Sequence, residues 1–130
     1  MNAAVKLESV WKTYRMGDET INALQGASLE VKKGELFVIQ GPSGSGKSTA
    51  MHVIGALDRP ERGTVFINGK DTKFMSEDKL AELRGRTIGF VFQQFNLVPT
   101  LTAFENIMLP MIFQGTPEME RERKAVGLLK

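Results

Sequence analysis

The chain has 130 residues, of which 42% are hydrophobic and 25% are charged, a composition that predicts one globular domain and excludes a disordered or collagen-like protein. Its 17 basic and 15 acidic residues are mixed along the sequence, so the net charge of +2 provides no basic block for nucleic acid. The absence of cysteine excludes a disulfide framework, a thiolate zinc site and a thiol nucleophile. Because residues 1–6 lack the apolar core of a signal peptide and no stretch reaches membrane-spanning length, we expect a cytosolic chain.

The N-terminal part alternates apolar and polar residues in the manner of half-buried strands. The alternation predicts a strand over residues 5–14, a continuation of the sheet over 21–24 and a further run over 27–31. Turns are expected at 16–19, before the runs 21–24 and 27–31, and at 32–35, after them. Short strands joined by tight turns predict an antiparallel sheet in this region.

A glycine-rich loop follows a short apolar run over residues 36–39, which is typical of a strand buried on both faces of a parallel sheet. The loop fills every fixed position of the G-x-x-x-x-G-K-[ST] template. Its residues are Gly41, Pro42, Ser43, Gly44, Ser45, Gly46, Lys47, Ser48 and Thr49. The three glycines can adopt positive φ and let backbone amides surround a polyphosphate. The pattern indicates a phosphate site rather than a flexible glycine- and serine-rich linker.

A helix is expected to begin near Lys47 and to direct its positive dipole end at the same anion. One apolar stripe of this helix consists of Ala50, Val53, Ile54 and Leu57. Lys47 is expected to place its charge near the β- and γ-phosphates, and the Ser48 hydroxyl to complete the coordination of Mg²⁺. Pro60 is the predicted stop of the helix.

The middle of the chain predicts three more elements. A strand is expected over 64–67 and a helix over about 77–83, with acidic residues in its first turn. A second strongly apolar run, 87–92, is the other candidate for a central strand, and it ends abruptly at Gln93 and Gln94.

Two helices are predicted in the C-terminal part. Thr102 and Glu105 form a capping box that opens a helix through about Phe113. Thr116 is expected to cap the last helix, with Pro117 at its first position. No stop signal comes after it, and the apolar face continues to the end, so the sequence predicts a piece of a longer domain.

The order of these features resembles the ATP-binding subunit of an ABC transporter: an aromatic near the end of the first strand, an antiparallel sheet, the phosphate loop, a strand ending in glutamine, then helices. Segments 88–96 and 101–107 resemble the lipoprotein-release, macrolide-efflux and cell-division branch, and the resemblance covers nearly the whole chain. It implies an α/β fold, a P-loop nucleotidase core with an N-terminal antiparallel β-subdomain and the start of a helical subdomain. The nucleotide-binding part would span 1–94 and the helical start 95–130 of an incomplete domain.

The resemblance also implies roles for single residues. Tyr14 corresponds to the adenine-stacking aromatic, although an isolated tyrosine would more often be a core or strand-surface residue, and Trp11 is interpreted as a packing residue of the same sheet. Gln93 matches the glutamine whose side-chain oxygen reaches Mg²⁺ and the attacking water, with Gln94 as the competing assignment and a polar strand end as the plainer interpretation. His52 does not match the family's switch histidine and is expected to be an ordinary surface or second-layer residue.

Three parts of a functioning cassette do not occur before Lys130: the leucine-serine-glycine-glycine-glutamine signature, a strand ending in aspartate-glutamate, and the switch histidine. The segment most similar to the strand that ends in aspartate-glutamate is the one that ends at Asp58. Arg59 comes after it, where the family has the catalytic glutamate. Without that glutamate no obvious group orients the attacking water. We therefore expect this chain to bind Mg-ATP without turnover, with Lys47 and Gln93 only supporting catalysis, and the complete protein to be an ATPase.

The implied ligands and partners are ATP, Mg²⁺, transmembrane permease subunits and a second ATP-binding subunit, at the cytoplasmic face of a membrane, with no nucleic acid. Five apolar residues of the helix after Thr102 form a candidate docking surface, although residues at this spacing also pack inside their own domain. They are Met108, Leu109, Met111, Ile112 and Phe113. Two alternatives stay open: a nucleotide-binding fragment without turnover, and a P-loop small-molecule kinase, which the long segment before the phosphate loop disfavours.

Overall fold

A computed structural model describes residues 3–130, which form two compact units that meet in sequence between Arg84 and Gly85. The first unit contains an antiparallel sheet, the phosphate loop and the helix that comes after it. The second contains two helices near the C-terminus. Within the described part of the chain, no helix is long and apolar enough to cross a bilayer.

The sheet has the strand order β2-β1-β3-β4, and each neighbouring pair is antiparallel. The strands are β1 (Ala3–Met16), β2 (Glu19–Lys32), β3 (Arg62–Ile67) and β4 (Lys70–Asp71). The predicted antiparallel sheet is therefore confirmed, and the runs predicted over 21–24 and 27–31 form one continuous strand, β2. The strand β1 lies between β2 and β3 and forms ladder hydrogen bonds with both, so it joins the two parts of the sheet in the first unit.

The core of the first unit consists of apolar side chains from the strands, from α1 (Lys47–Ile54) and the turn directly after it, and from α2 (Glu77–Thr87). The buried members are Leu7, Val10, Leu24, Ala50, Val53, Ala56, Val65, Ile67, Leu80 and Leu83. Helix α1 lies against β1, β2 and β3. Two members of its predicted apolar stripe, Ala50 and Val53, are buried, whereas Leu57 lies beyond the helix and is exposed.

Helix α1 ends before Pro60, which the sequence predicted as its stop. Gly55 is the C-cap, and Ala56 adopts the left-handed conformation with φ 54°. The Leu57 N–H donates to the His52 carbonyl at 2.8 Å, as in a Schellman motif. The prediction was wrong because an alanine takes the left-handed position that sequence patterns assign to glycine.

Two apolar runs that predicted central strands form no strand. Residues 36–39 belong to neither a helix nor a ladder, and in the run predicted over 87–92 only Thr87 has regular structure, as the last residue of α2. Leu36 is 92% exposed and Val91 is fully exposed. Phe90 and Phe92 stack on each other with ring centroids 5.5 Å apart, as alternate side chains of an extended segment can. A strand forms only beside a neighbouring strand that supplies its hydrogen bonds. Among the described residues, no strand of the sheet pairs with either run.

The second unit is built on α3 (Ala103–Phe113) and α4 (Glu118–Leu128), which contact each other. The predicted capping box is confirmed: the Glu105 N–H donates to the Thr102 hydroxyl at 3.2 Å, and the Thr102 N–H donates to the Glu105 carboxylate at 2.7 Å. The predicted cap at Thr116 was wrong, because the extended Pro117 is the N-cap and no side chain caps α4.

Truncation of a core side chain of β1 should destabilise the first unit. Leu7 is 1% exposed, so Leu7→Ala removes buried surface and leaves a cavity. We expect the free energy of unfolding to fall by about 2–5 kcal/mol. Urea denaturation followed by fluorescence of the single tryptophan, Trp11, which lies in the same strand, measures it.

The matched control is Leu36→Ala, the same substitution at a residue that is 92% exposed. It should change the free energy of unfolding by no more than about 0.5 kcal/mol. Equal destabilisation by the two variants would contradict the core described here.

Candidate functional site

The phosphate loop ends at the N-terminus of α1, which begins at Lys47 as predicted. Its N-cap is Gly46, with φ 86° and ψ 5°, and no side chain caps the helix. The first turn contains no acidic residue either. Since the first N–H groups of a helix have no partner within it, this end presents free donors and a positive dipole end. That combination suits an anion with several oxygens, such as a polyphosphate.

The glycines of the loop serve two different purposes. Gly44 and Gly46 have φ of +79° and +86°, the left-handed conformation that glycine adopts without strain. Gly41 does not have a positive φ, but a Cβ there would lie 2.6 Å from the Ser45 hydroxyl oxygen. Gly46 is constrained in addition by the sheet, because a Cβ would overlap the carbonyl oxygen of Ala23 in β2. A side chain at Gly41 would therefore displace the Ser45 hydroxyl, whereas Gly44 and Gly46 have the left-handed conformation that the sequence predicted.

The Lys47 side chain folds back over the loop that precedes it. Its ammonium donates to the Pro42 carbonyl at 2.6 Å and to the Ser45 hydroxyl at 3.4 Å. The Ser45 N–H also donates to the Pro42 carbonyl, at 3.3 Å, which closes a turn of the loop. The positive charge therefore lies against the loop, and charge-assisted hydrogen bonds to phosphate are among the strongest that proteins make.

Three hydroxyl side chains complete the motif. Ser43 and Ser48 are exposed, whereas Thr49 is half-buried on α1. Ser48 lies in the first turn of α1, beside the uncapped N–H groups, and its hydroxyl is a hard oxygen ligand of the kind that Mg²⁺ prefers. These residues fit a Mg²⁺-polyphosphate, and the role of Ser48 toward the metal stays a prediction.

Tyr14 lies near the end of β1, in the same unit as the loop. Its hydroxyl donates to Asp58 Oδ2 at 2.8 Å, and the Lys12 ammonium lies 5.3 Å from its ring centroid. Burial, followed by the hydrogen bond and charge of Asp58, raises the pKa of the phenol, while the Thr49 side chain and Lys12 oppose the shift. Tyr14 is therefore a neutral hydrogen-bond donor at physiological pH, with its ring half-buried.

Asp58 accepts hydrogen bonds from three groups. Lys12 Nζ donates to Oδ1 at 2.6 Å, the Arg59 N–H donates to the same oxygen at 2.8 Å, and Tyr14 donates to Oδ2. Burial opposes ionisation of the carboxyl, but the hydrogen bonds from Lys12, Tyr14 and the Arg59 backbone outweigh it and hold the pKa of Asp58 below its ordinary value. Asp58, whose place in the sequence resembles that of a catalytic aspartate, is therefore bonded to two side chains of β1.

Gln93, the residue predicted to contact Mg²⁺, lies in the second unit together with Gln94. Both side chains are exposed, and both residues belong to a segment without helix or strand. The sharing of one metal by Ser48 and Gln93 stays a prediction.

Sequence reasoning missed Lys12 and Asp58 as neighbours of Tyr14. A signal existed for Lys12, because residues two apart on a strand share a face. Asp58 is 44 residues from Tyr14, and only the fold brings the two together. Trp11 lies against the other strand, since a Cβ on Gly26 of β2 would be 3.5 Å from its indole.

Known proteins of one family resemble this chain in both sequence and structure. A family model described as ABC transporter matches residues 24–130. The chain belongs to the ABC transporter family. An uncharacterised ABC transporter ATP-binding protein of Thermotoga maritima is 51% identical over 130 residues, which are 100% of this chain and 56% of that protein. The ABC transporter ATP-binding protein MJ0796 of Methanocaldococcus jannaschii is 50% identical over 129 residues, 97% of this chain and 55% of that protein.

A solved structure of one of these relatives also matches the fold of this chain. A dimeric, post-hydrolysis structure of the ATP-binding cassette MJ0796 bound to ADP and Pi superimposes with a TM-score of 0.86 at 49% identity, over 95% of this chain and 54% of that one. The macrolide export ATP-binding/permease protein MacB of Brucella abortus is 46% identical over 125 residues, 96% of this chain and 19% of MacB. The P-loop fold of an ABC cassette and the macrolide-efflux branch are confirmed, and the kinase alternative is not favoured. The chain spans about half the length of the ATP-binding proteins it matches.

The ion pair of Asp58 should make stability depend on pH. Because the pKa of Asp58 in the folded chain lies below the ordinary 3.8, its stabilising contribution is present above that value and is lost as the pH falls through the folded pKa. Asp58→Asn should therefore unfold at lower urea concentration than the wild type at pH 7, and the difference should shrink as the pH approaches 3.

Asp18→Asn, in the exposed turn between β1 and β2, is the control and should match the wild type throughout. If the urea midpoint of Asp58→Asn lies as far below that of the wild type at pH 3 as at pH 7, the ionised Asp58 carboxylate is not the source of the stabilisation.

Proposed function

We propose that this chain is the nucleotide-binding part of an ABC transporter ATPase, and that it binds Mg-ATP at the phosphate loop. In the complete protein, the cassette hydrolyses ATP and drives transport across a membrane. The observation that carries the proposal is the uncapped start of α1 at Gly46, with the Lys47 ammonium held against the loop at 2.6 Å from the Pro42 carbonyl. Free N–H groups, a helix dipole and a fixed cation converge there on one anion site.

The proposed ligand contacts are built on this arrangement. The phosphates bind to the loop, whose residues are Gly41, Pro42, Ser43, Gly44, Ser45, Gly46, Lys47, Ser48 and Thr49. Ser48 and Gln93 contribute oxygen ligands to Mg²⁺, which neutralises charge on the β- and γ-phosphates when it is bound. Tyr14 stacks on the adenine, a role supported by its place in the same unit as the loop.

The partners of the complete protein are proposed from its relatives. The MJ0796 structure is dimeric, and the name of MacB combines ATP-binding with permease. We propose that this protein also pairs with a second cassette and docks on permease subunits at the cytoplasmic face of a membrane. The exposure of Ile112 and Phe113 on α3, 47% and 82%, supports a docking surface that also includes the partly exposed Met108, Leu109 and Met111.

The chain by itself is proposed to bind ATP without hydrolysing it. Its nearest candidate for a catalytic carboxylate, Asp58, is paired with Lys12 and Tyr14. No glutamate comes directly after Asp58 to orient the attacking water.

Removal of the loop cation should weaken nucleotide binding. In Lys47→Ala, the affinity for Mg-ATP measured by titration calorimetry should fall at least about ten-fold, since a hydrogen bond to a charged group contributes about 1.5–3 kcal/mol. Lys33→Ala is the control, because it removes the same charge from an exposed turn after β2. Equal affinities of the wild type and Lys47→Ala would refute the phosphate site.

A second measurement tests turnover. Incubation of this chain with Mg-ATP should release phosphate no faster than the buffer does, because no group orients the attacking water. Release that is abolished by Lys47→Ala would show that the catalytic groups lie within residues 1–130.

A further inference from the structure

Three side chains of the first unit form a cluster that the phosphate loop does not include: Lys12, Tyr14 and Asp58. Lys12 and Tyr14 are two residues apart in β1 and so share a face of the strand. Asp58 uses one oxygen for each, Oδ1 for the ammonium at 2.6 Å and Oδ2 for the phenol at 2.8 Å. The cluster is partly sheltered, with the Lys12 side chain 13% and the Asp58 side chain 31% exposed.

The cluster fixes the Tyr14 ring at both ends. The backbone of β1 holds its Cβ, and the Asp58 carboxylate holds its hydroxyl. The Lys12 ammonium, 5.3 Å from the ring centroid, lies over one face. Lys12 is itself held, because it also donates to the Arg59 carbonyl at 2.9 Å. A ring whose two torsions are set in this way can offer its opposite face to a planar ligand without losing side-chain freedom on binding.

The same cluster sets the position of the ring relative to the phosphate loop. Asp58 lies just after α1, and the first turn of α1 carries Lys47 and Ser48. The side chain of Thr49, the last residue of the motif, lowers the pKa of the Tyr14 phenol and so opposes the effect of Asp58. The phenol is therefore bonded to the segment that comes directly after the helix that begins at the anion site.

We propose that Asp58 and Lys12 are positioning residues, which hold the Tyr14 ring in the orientation that stacks on the purine of a nucleotide bound at the phosphate loop. The inference rests on the proposed function and extends it to two residues that act through Tyr14. Its structural competitor is a clamp that only ties β1 to the segment after α1.

The discriminating quantity is base preference, defined as the affinity for Mg-ATP divided by the affinity for Mg²⁺ with inorganic triphosphate. Tyr14→Phe retains the ring and removes only the hydroxyl that Asp58 holds. Its base preference should fall by about three-fold, within the range expected when a side chain must be ordered on binding. Its affinity for inorganic triphosphate should stay that of the wild type. A clamp without a role in binding would change neither quantity.

A double-mutant cycle assigns the effect to the hydrogen bond between Tyr14 and Asp58. Asp58→Ala should lower the base preference at least as much as Tyr14→Phe, because it also releases Lys12. The double variant should be no worse than Asp58→Ala, since both changes remove one and the same hydrogen bond. Additive losses would overturn the coupling. Lys12→Met removes the ammonium that lies over one face of the Tyr14 ring. It provides a second measurement of base preference if Asp58→Ala fails to fold.

The outcomes separate the inference from the function on which it rests. A wild-type chain that binds neither ligand overturns both. A chain that binds both ligands equally retains the phosphate site and overturns the stacking role of Tyr14. A base preference that is unchanged in Tyr14→Phe and Lys12→Met, together with a lower urea midpoint, leaves only the clamp and overturns the positioning role. The control Asp18→Asn should match the wild type in every measurement.

Discussion

The phosphate loop lies so close to the sheet at Gly46 that a Cβ there would overlap the carbonyl oxygen of Ala23 in β2. Because Gly46 is also the N-cap of α1, a side chain at this position would have to displace either the strand or the start of the helix with its free N–H groups. Strand β2 is held in turn by its pairing with β1, which carries Tyr14. The antiparallel pair therefore aligns two parts of the site that the sequence keeps apart: the loop borders one strand, and the aromatic side chain belongs to the other.

Several features that depend on neighbouring residues were predictable from the sequence, although the stop at Pro60 and the cap at Thr116 were not. The start of α1 at Lys47, the hairpin of β1 and β2, and the capping box of Thr102 all rest on chemistry within a few residues, and the structure confirms them. Features that need a distant partner were not. The runs 36–39 and 87–92 have the apolar character of central strands, but hydrophobicity cannot supply the ladder of a neighbouring strand, and neither run is paired among the described residues.

The candidate site shows the same division. The template predicted every residue of the loop, although it could not say that Gly41 lacks the left-handed φ of Gly44 and Gly46. It gave no indication of Asp58, which reaches β1 only because the chain reverses after α1. That reversal uses the left-handed Ala56, a conformation that costs a residue with a Cβ roughly 1–2 kcal/mol. The Arg84 guanidinium donates to the Ala56 carbonyl at 2.7 Å and helps to hold the strained turn.

The way in which α1 is tied at both of its ends has a consequence for how this segment can change in evolution. The helix has eight residues and is about 12 Å long, with Gly46 against β2 before it and Asp58 bonded to β1 after it. Deletion of one residue would turn everything beyond it by about 100° around the helix axis and withdraw the carboxylate from Tyr14. Substitutions on the exposed face of α1 leave that spacing intact. The number of residues between Lys47 and Asp58 should therefore vary far less among related sequences than their identity, whereas the turn between β1 and β2 can accept insertions.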